Sequence, residues 1–249
     1  MLNVEKGGGM KLHLQFSLKN EYLSNDFRMV IISFLKKALS DKYSEEYEKL
    51  YSLNNIKDFT FSVYFPNSSI EKHHIYVPDK KMSVTFSGYR DELIIKFYNA
   101  MLKYKNHDYP MKNNQTMTLK RIRLSPTRKA KGSQCIIKFL SPLLVRKHTK
   151  EKDIYLTYED EGFLEQLNIN TKKLLESINV KEKYTIKSFK PLKAAVTVVK
   201  HDDLLYQANI GTYFIEADNE LINILYKAGL GSKRGLGFGM FEVLGGYDG

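Results

Sequence analysis

The residues best suited to chemistry lie late in the chain. Within residues 229–239, glycines at 229, 231, 235, 237 and 239 surround Ser232, Lys233 and Arg234. Glycine lets a backbone approach a ligand closely and leaves amide N–H groups free, while Lys and Arg supply positive charge, so the run suits a phosphate chain. One or two glycines after a helix ordinarily mean a cap and a tight turn. Five around two cations exceed that need. Ahead of them, apolar residues at 221, 222, 225 and 228 have the spacing of one helical face. After them, Phe238, Met240, Phe241, Val243 and Leu244 are strand formers. The loop thus runs from helix to strand. Dinucleotide and nucleoside-triphosphate loops run the other way and seat phosphates on a helix N-terminus, so those classes are excluded.

Charge points in the same direction. The formal net charge is +11, and residues 109–150 hold eleven Lys and Arg (Lys112, Lys120, Arg121, Arg123, Arg128, Lys129, Lys131, Lys138, Arg146, Lys147 and Lys150) without one Asp or Glu. The other 28 basic residues match the 28 acidic ones, so this stretch carries the whole excess. A 42-residue segment without acids in an otherwise neutral chain predicts a polyanionic partner. The single cysteine, Cys135, excludes an internal disulfide and a cysteine-based zinc site and suits a reducing cytoplasm. No run of about 18 apolar residues and no signal-peptide pattern is present, which predicts a soluble, cytoplasmic protein without a membrane partner. Residues 1–9, ending in three glycines before Met10, suggest a leader or disordered extension.

The elements that must position these groups follow from periodicity. Residues 11–18 alternate as a half-buried strand, and apolar positions 27, 30, 31, 34, 35 and 38 make a helix with Lys36 and Lys37 on its outer side. A charged, tyrosine-rich helix covers 44–53, and a strand covers 58–65. Segments 73–77 and 81–86 complete a sheet edge, 90–104 is helical, and 116–124 alternates with a slip that predicts a bulge. Residues 125–132 resemble a linker. The second half repeats the plan: a strand at 133–140, a short edge strand at 153–158, a helix at 161–178, a hairpin pairing 184–199 with 204–215, then the last helix and strand. The predicted class is α+β, with two tandem ferredoxin-like (RRM-like) βαββαβ domains at 10–128 and 129–249.

In order, spacing and chain position, the run 229–239 resembles the C-terminal glycine-rich signature of the CRISPR-associated endoribonucleases of the Cas6 family. Asp58-Phe-Thr-Phe-Ser62 is similar to that family's strand after the first helical region, and Leu140-Ser-Pro-Leu-Leu-Val-Arg146 to the first strand of its second domain. The resemblance implies binding of CRISPR repeat RNA and cleavage of the precursor transcript into guide RNAs by metal-independent attack of the 2′-hydroxyl. The products would carry a 2′,3′-cyclic phosphate and a 5′-hydroxyl, with no cofactor. It implies CRISPR effector-complex proteins as partners of a monomer or homodimer. The alternative is a non-cleaving RNA-binding protein or effector-complex subunit of the same fold.

Such cleavage needs a base for the 2′-hydroxyl, a cation for the phosphorane and an acid for the departing 5′-oxygen, with histidine the usual agent. Many family members place a histidine eight residues before the Phe-Thr-Phe-Ser strand, a lysine shortly after it and a tyrosine on the first helix. Here those positions fall on Tyr51, on Lys57 and near Leu35 or Lys36. The resemblance therefore implies Tyr51, Lys57 and Lys36 as the catalytic candidates. Charge and resemblance together assign RNA binding to Lys120, Arg121, Arg123, Arg128, Lys129, Lys131, Arg146 and Lys147. In the terminal loop they assign it to Gly229, Gly231, Lys233, Arg234, Gly235, Gly237 and Gly239. Of the histidines, His73 and His74 point to opposite faces of a strand, so one could face a site. His13 could approach the domain interface. His107, His148 and His201 fall in loops or at segment ends, where solvation is the ordinary state.

Binding should be steeply salt-dependent. If half of the eleven cations contact phosphates, a slope of about 0.7 per contact gives roughly a hundredfold loss of RNA affinity between about 50 and about 200 mM salt. Titrations showing near-zero slope would remove the polyanion reading.

Overall fold

The computed structural model describes residues 9–52, 55–71, 74–201 and 204–247. Residues 1–8 of the expected leader lie outside that set, as does His73. Gly9 lies within it, buried, with its carbonyl accepting from the Thr127 amide at 2.7 Å.

The first half runs β1 (Met10–Leu18), β2 (Tyr22–Ser24), α1 (Phe27–Lys42), α2 (Ser44–Tyr51), β3 (Phe59–Tyr64), β4 (Ser69–Ile70), β5 (His74–Tyr76), β6 (Lys81–Gly88), α3 (Asp91–Met101), β7 (Asp108–Pro110) and β8 (Thr116–Pro126). The second runs β9 (Gln134–Phe139), β10 (Val145–His148), β11 (Asp153–Leu156), α4 (Phe163–Ser177), β12 (Ile186–His201), β13 (Leu204–Ala217), α5 (Asn219–Ala228) and β14 (Phe241–Tyr247). Two larger antiparallel sheets result, in the orders β3-β6-β1-β8-β7 and β12-β13-β9-β14, with two smaller ones beside them. With β7 set aside as an added edge, each has the ferredoxin-like order: second and third strands paired, then first, then fourth. The chain has the mixed α+β architecture of tandem ferredoxin-like folds. No helix among the described residues is long and apolar enough to cross a membrane.

Periodicity explains the layers. Along β1, Leu12, Leu14, Phe16 and Leu18 are buried on one face, and α1 covers them with Ile31, Phe34, Leu35, Ala38 and Leu39. In the second half Cys135, Ile137 and Phe139 of β9 share a core with Leu221, Ile222 and Leu225 of α5. The expected bulge lies between Gln15 and Phe16: Arg121 faces Gln15 and Leu119 faces Phe16, leaving Lys120 as the extra residue.

Three local expectations are corrected. Residues 81–86 belong to β6, which is central between β1 and β3 and not an edge. β5 leaves that sheet and pairs with β2 and β4. Residues 153–156 form β11 on β10 in a separate two-stranded sheet, because β13 already occupies the open side of β9. Alternation shows which face of a strand is apolar but not which strand sits beside it. The linker is also shorter than expected, since Ser125 and Pro126 still pair with Lys11 and Met10. Its remainder is tied to α5: Asn223 accepts from the Ala130 amide at 2.8 Å, and Asn219 donates to the Ala130 and Gly132 carbonyls.

The two sheets meet across β3. Phe59, Thr60 and Phe61 are all fully buried, although β3 is the outer strand of its sheet, because the second half covers what solvent would otherwise reach. The Thr60 hydroxyl donates to the Phe238 carbonyl at 2.7 Å, and the Ser87 hydroxyl to the Lys227 carbonyl at 2.9 Å. Farther along the contact, Lys11 pairs with Glu242 at 2.7 Å.

Thr60→Val keeps volume and removes only the donor to Phe238. It is expected to cost about 1–3 kcal/mol in denaturant unfolding, because a buried acceptor loses its partner. An unchanged midpoint would show that this bond does not hold the halves together.

Candidate nucleic-acid interface

The glycine loop occupies the contact between the halves, and its backbone is shaped by protein on both sides. At Gly239, φ is +74° and a Cβ would lie 1.8 Å from the Leu230 carbonyl oxygen. At Gly237, φ is +82° and a Cβ would lie 2.5 Å from the Phe61 ring. No other residue type fits either place. Lys233 adopts φ +53° without being glycine, at the start of a short 3-10 turn, Arg234–Leu236. The loop is tied outward to the β9–β10 connection: the Gly239 amide donates to the Pro142 carbonyl at 2.8 Å and the Ser232 amide to that of Leu144 at 2.8 Å.

The two loop cations have different surroundings. Arg234 is 5 % exposed and donates to the carbonyls of Gly231 and, at 3.2 Å, Lys57. Its Nε has no partner. Burial draws its pKa down to about 10, with Asp58 opposing. Lys233 is half-buried, with its ammonium 5.1 Å from the centre of the Tyr206 ring. Its pKa is lowered by burial and by Arg146.

Beside the loop is a cavity of about 580 Å³ lined from both halves. Lys36 comes from α1, Tyr51 from the end of α2, and Lys57 from the segment before β3. Arg146 and His148 come from β10, Lys173 and Asn170 from α4, and Lys233 and Arg234 from the loop. None of the lining residues is an acid. The three residues implied as catalytic are thus brought together. The Tyr51 ring takes the Lys36 ammonium at 4.8 Å and the Lys57 ammonium at 5.2 Å from its centre. Burial, then Tyr47, pushes the Tyr51 hydroxyl further from ionisation. Lys57 is lowered by burial and by Lys36, while its Nζ donates to the Asn55 carbonyl at 2.7 Å. Gly235 lies under it: a Cβ there would come within 2.6 Å of the Lys57 Cγ. The arrangement can hold a phosphate, since several cations converge with little competing negative charge.

The basic segment is divided by the fold. Arg146 reaches this cavity, with Lys147 exposed beside it on β10. Arg128, Lys129 and Lys131 line a second cavity of about 960 Å³ with Lys11, His13, Tyr226 and Glu242. Lys120, Arg121 and Arg123 are exposed on β8 and line neither. His13 sits in the second cavity, 2.8 Å from the Ser125 hydroxyl, with its pKa lowered by burial, Arg123 and Lys11. That placement separates it from Lys57. His74 pairs with Glu71 at 2.7 Å in the small sheet. Sequence reading assigned no role to His148, Lys173 or Asn170. The one signal for His148 is its position opposite Asp153 in a hairpin, visible only once β10 and β11 are paired. Among the described residues no group of three His, Cys, Asp or Glu side chains is arranged to hold a metal.

Residues 125–243 match the family model described as CRISPR associated protein Cas6, C-terminal. The fold is similar to that of solved structures over nearly their whole length. A Cas6-related protein from Pyrococcus furiosus superposes with a TM-score of 0.83 at 18 % identity, covering 95 % of this chain and 99 % of its own. A structure titled "An RAMP protein binding different RNA substrates" gives 0.79 at 19 % identity, and one titled "CRISPR associated protein Cas6" gives 0.76 at 23 %; each pairing covers 94 % of this chain and 99 % of the other. At these identities the likeness is one of fold. No curated protein sequence matches the chain.

Charge reversal at the two loop cations should separate their surroundings. Lys233→Glu is expected to weaken RNA binding with little change in Tm, whereas Arg234→Glu would bury an unpaired carboxylate near Asp58 and lower Tm markedly. Gly237→Val should lower Tm as well, through its clash with Phe61. Equal melting of the two charge-reversed variants would contradict the burial of Arg234.

Proposed function

The chain is a Cas6-family CRISPR-associated protein, and from that premise we propose that it binds the repeat of a CRISPR precursor transcript and cuts it in the cationic cavity between its halves. The observation that carries this reading is the convergence of Lys36, Tyr51 and Lys57 with Arg146, Lys233 and Arg234 in one cleft without acids. A transcript laid there would place a backbone phosphate among the ammonium groups of Lys36 and Lys57. As the 2′-oxygen bonds to phosphorus and the bond to the 5′-oxygen breaks, those cations stabilise the phosphorane without any metal. Tyr51 holds them apart by offering its ring to both, and offers its hydroxyl as a hydrogen-bond donor. Lys233 and Arg146 bind the chain on either side of that phosphate, while the buried Arg234 holds the Lys57 backbone in place beneath it. Arg128, Lys129 and Lys131 bind it farther along, and Lys120, Arg121, Arg123 and Lys147 contribute exposed positive charge. The two ferredoxin-like units are taken as domains at 10–128 and 129–249, and effector-complex proteins as recipients of the product.

A binding protein of the same fold is the second reading. What favours it is Tyr51 itself, because a hydroxyl pushed away from ionisation cannot act as a base near neutrality.

Incubation with its own repeat RNA in EDTA tests the choice. The expected outcome is a single cut leaving a cyclic phosphate. Lys57→Ala should slow it by about 10²–10³, the scale for losing one group that stabilises developing charge, with little loss of affinity. Tight, repeat-selective binding with no cut at any pH would establish the second reading, and equal binding of unrelated RNA would exclude both.

A further inference from the structure

Among the described side chains lining the cleft, His148 is the one imidazole, the group that most often serves as a general acid or base. The others are lysines, arginines, a tyrosine, and amides, hydroxyls or apolar groups. A cleft of ammonium and guanidinium groups can hold a phosphate, but at neutral pH it has nothing else suited to take a proton from a 2′-hydroxyl.

The position of His148 is determined by its neighbours. It ends β10 and faces Asp153 across the β10–β11 hairpin, with Nδ1 2.8 Å from the Asp153 carboxylate. Asp153 is held as a carboxylate, its pKa lowered by that hydrogen bond and by Arg146, whose Nη1 lies 3.2 Å from its other oxygen. A carboxylate only accepts, so the imidazole must carry its proton on Nδ1, which leaves the Nε2 lone pair free in the neutral ring. The strand beneath is fastened on both sides. Ser232 of the glycine loop donates amide and hydroxyl to the Leu144 carbonyl, at 2.8 and 3.0 Å. On α4, Asn170 and Gln166 donate to the Arg146 carbonyl at 2.9 and 2.8 Å, and Asn170 accepts from the Arg146 amide at 3.1 Å. The charged groups that share its surroundings are Asp153 on β11, Arg146 on its own strand, Lys173 on α4, Lys233 on the loop, and Lys36 and Lys57 across the cleft.

We propose that His148, oriented by Asp153, is the general base of the cleavage, a catalytic histidine supplied by the second half of the chain in place of one from the first. The inference rests on the cleavage reading above. Nε2 takes the proton of the 2′-hydroxyl as the 2′-oxygen bonds to phosphorus. The bond from phosphorus to the 5′-oxygen breaks, and that oxygen takes a proton from the Lys57 ammonium, whose acidity burial has increased. Solvent then removes the proton from Nε2 and returns one to Lys57, so the protein is unchanged and no further reactant is consumed. Asp153 and Arg146 are positioning residues: they set the tautomer and the aim of the ring.

Single-turnover cleavage of repeat RNA in EDTA, followed from about pH 5.5 to about 9, tests this, with RNA affinity measured separately. The wild-type rate is expected to rise and then level off in the neutral range. His148→Ala and His148→Gln should each lose about 10²–10⁴ at neutral pH with affinity retained, and the surviving rate should climb steadily with pH. Asp153→Asn should reduce the rate by less while changing the profile. His107→Ala, at an exposed position before β7, should behave as wild type. Wild-type rate and profile in both His148 variants would overturn the assignment and leave the cleavage reading intact, with the hairpin pair reduced to an exposed ion pair of little energetic weight. A fall in affinity that matches the fall in rate would make His148 an RNA contact only. A wild-type protein that binds repeat RNA but never cuts it would overturn the assignment and the cleavage reading together.

Discussion

The left-handed backbone at Gly237 and Gly239, pressed against Phe61 on one side and Leu230 on the other, is the constraint on which the rest of the molecule depends. Only a chain without Cβ atoms at those two positions can pass between β3 and the β9–β10 connection, and by passing there it brings two separately cored units into contact. Thr60 closes the contact from the first half, and Pro142 and Leu144 from the second. The glycines therefore act first through protein, by fixing where Lys233, Arg234 and the Lys57 backbone stand. Whatever phosphate the cleft takes is met by a wall already in place, with little ordering cost left to binding.

That wall is electrostatically costly to the free protein. Lys57 and Lys233 are both drawn down, each by burial and then by a neighbouring cation, Lys36 in one case and Arg146 in the other. Arg234 is buried with one guanidinium nitrogen unpartnered. The structure tolerates this because carbonyls and rings compensate in part: the carbonyls of Gly231, Lys57 and Asn55, and the rings of Tyr51 and Tyr206. A polyanion entering the cleft relieves the repulsion that remains, so affinity and stability are linked through the same charges.

Much of this was legible in residue order. Alternation in 11–18 and the 3.6-residue spacing of 27 to 38 identify β1 and α1, and the slip near Lys120 locates the bulge. The glycine run announces itself by density. Less legible was everything decided by a distant neighbour. Arg234 has the composition of a surface cation and is buried because β3 closes over it. Residues 81–86 look like an edge and become central because β3 pairs outside them. His148 sits on a short polar strand with no periodicity to mark it, and acquires its surroundings only when α4, the loop and β11 assemble around β10. Periodicity encodes which face is buried; it does not encode what buries it.

The tie between the glycine loop and Lys57 has a temporal side. Lys36, Tyr51 and Lys57 are made early, whereas residues 229–239, which form the opposite wall, follow the whole of β1 to α5. Synthesis adds residues in order at about 5–20 per second and earlier domains fold first, so a first half can be in place several seconds before its cleft exists. Until the loop emerges, β3 lacks its cover and the early cations face solvent without a partner wall. A truncated or stalled chain would therefore be a protein with a core and no cleft, left with exposed cations such as those of β8 to meet a transcript.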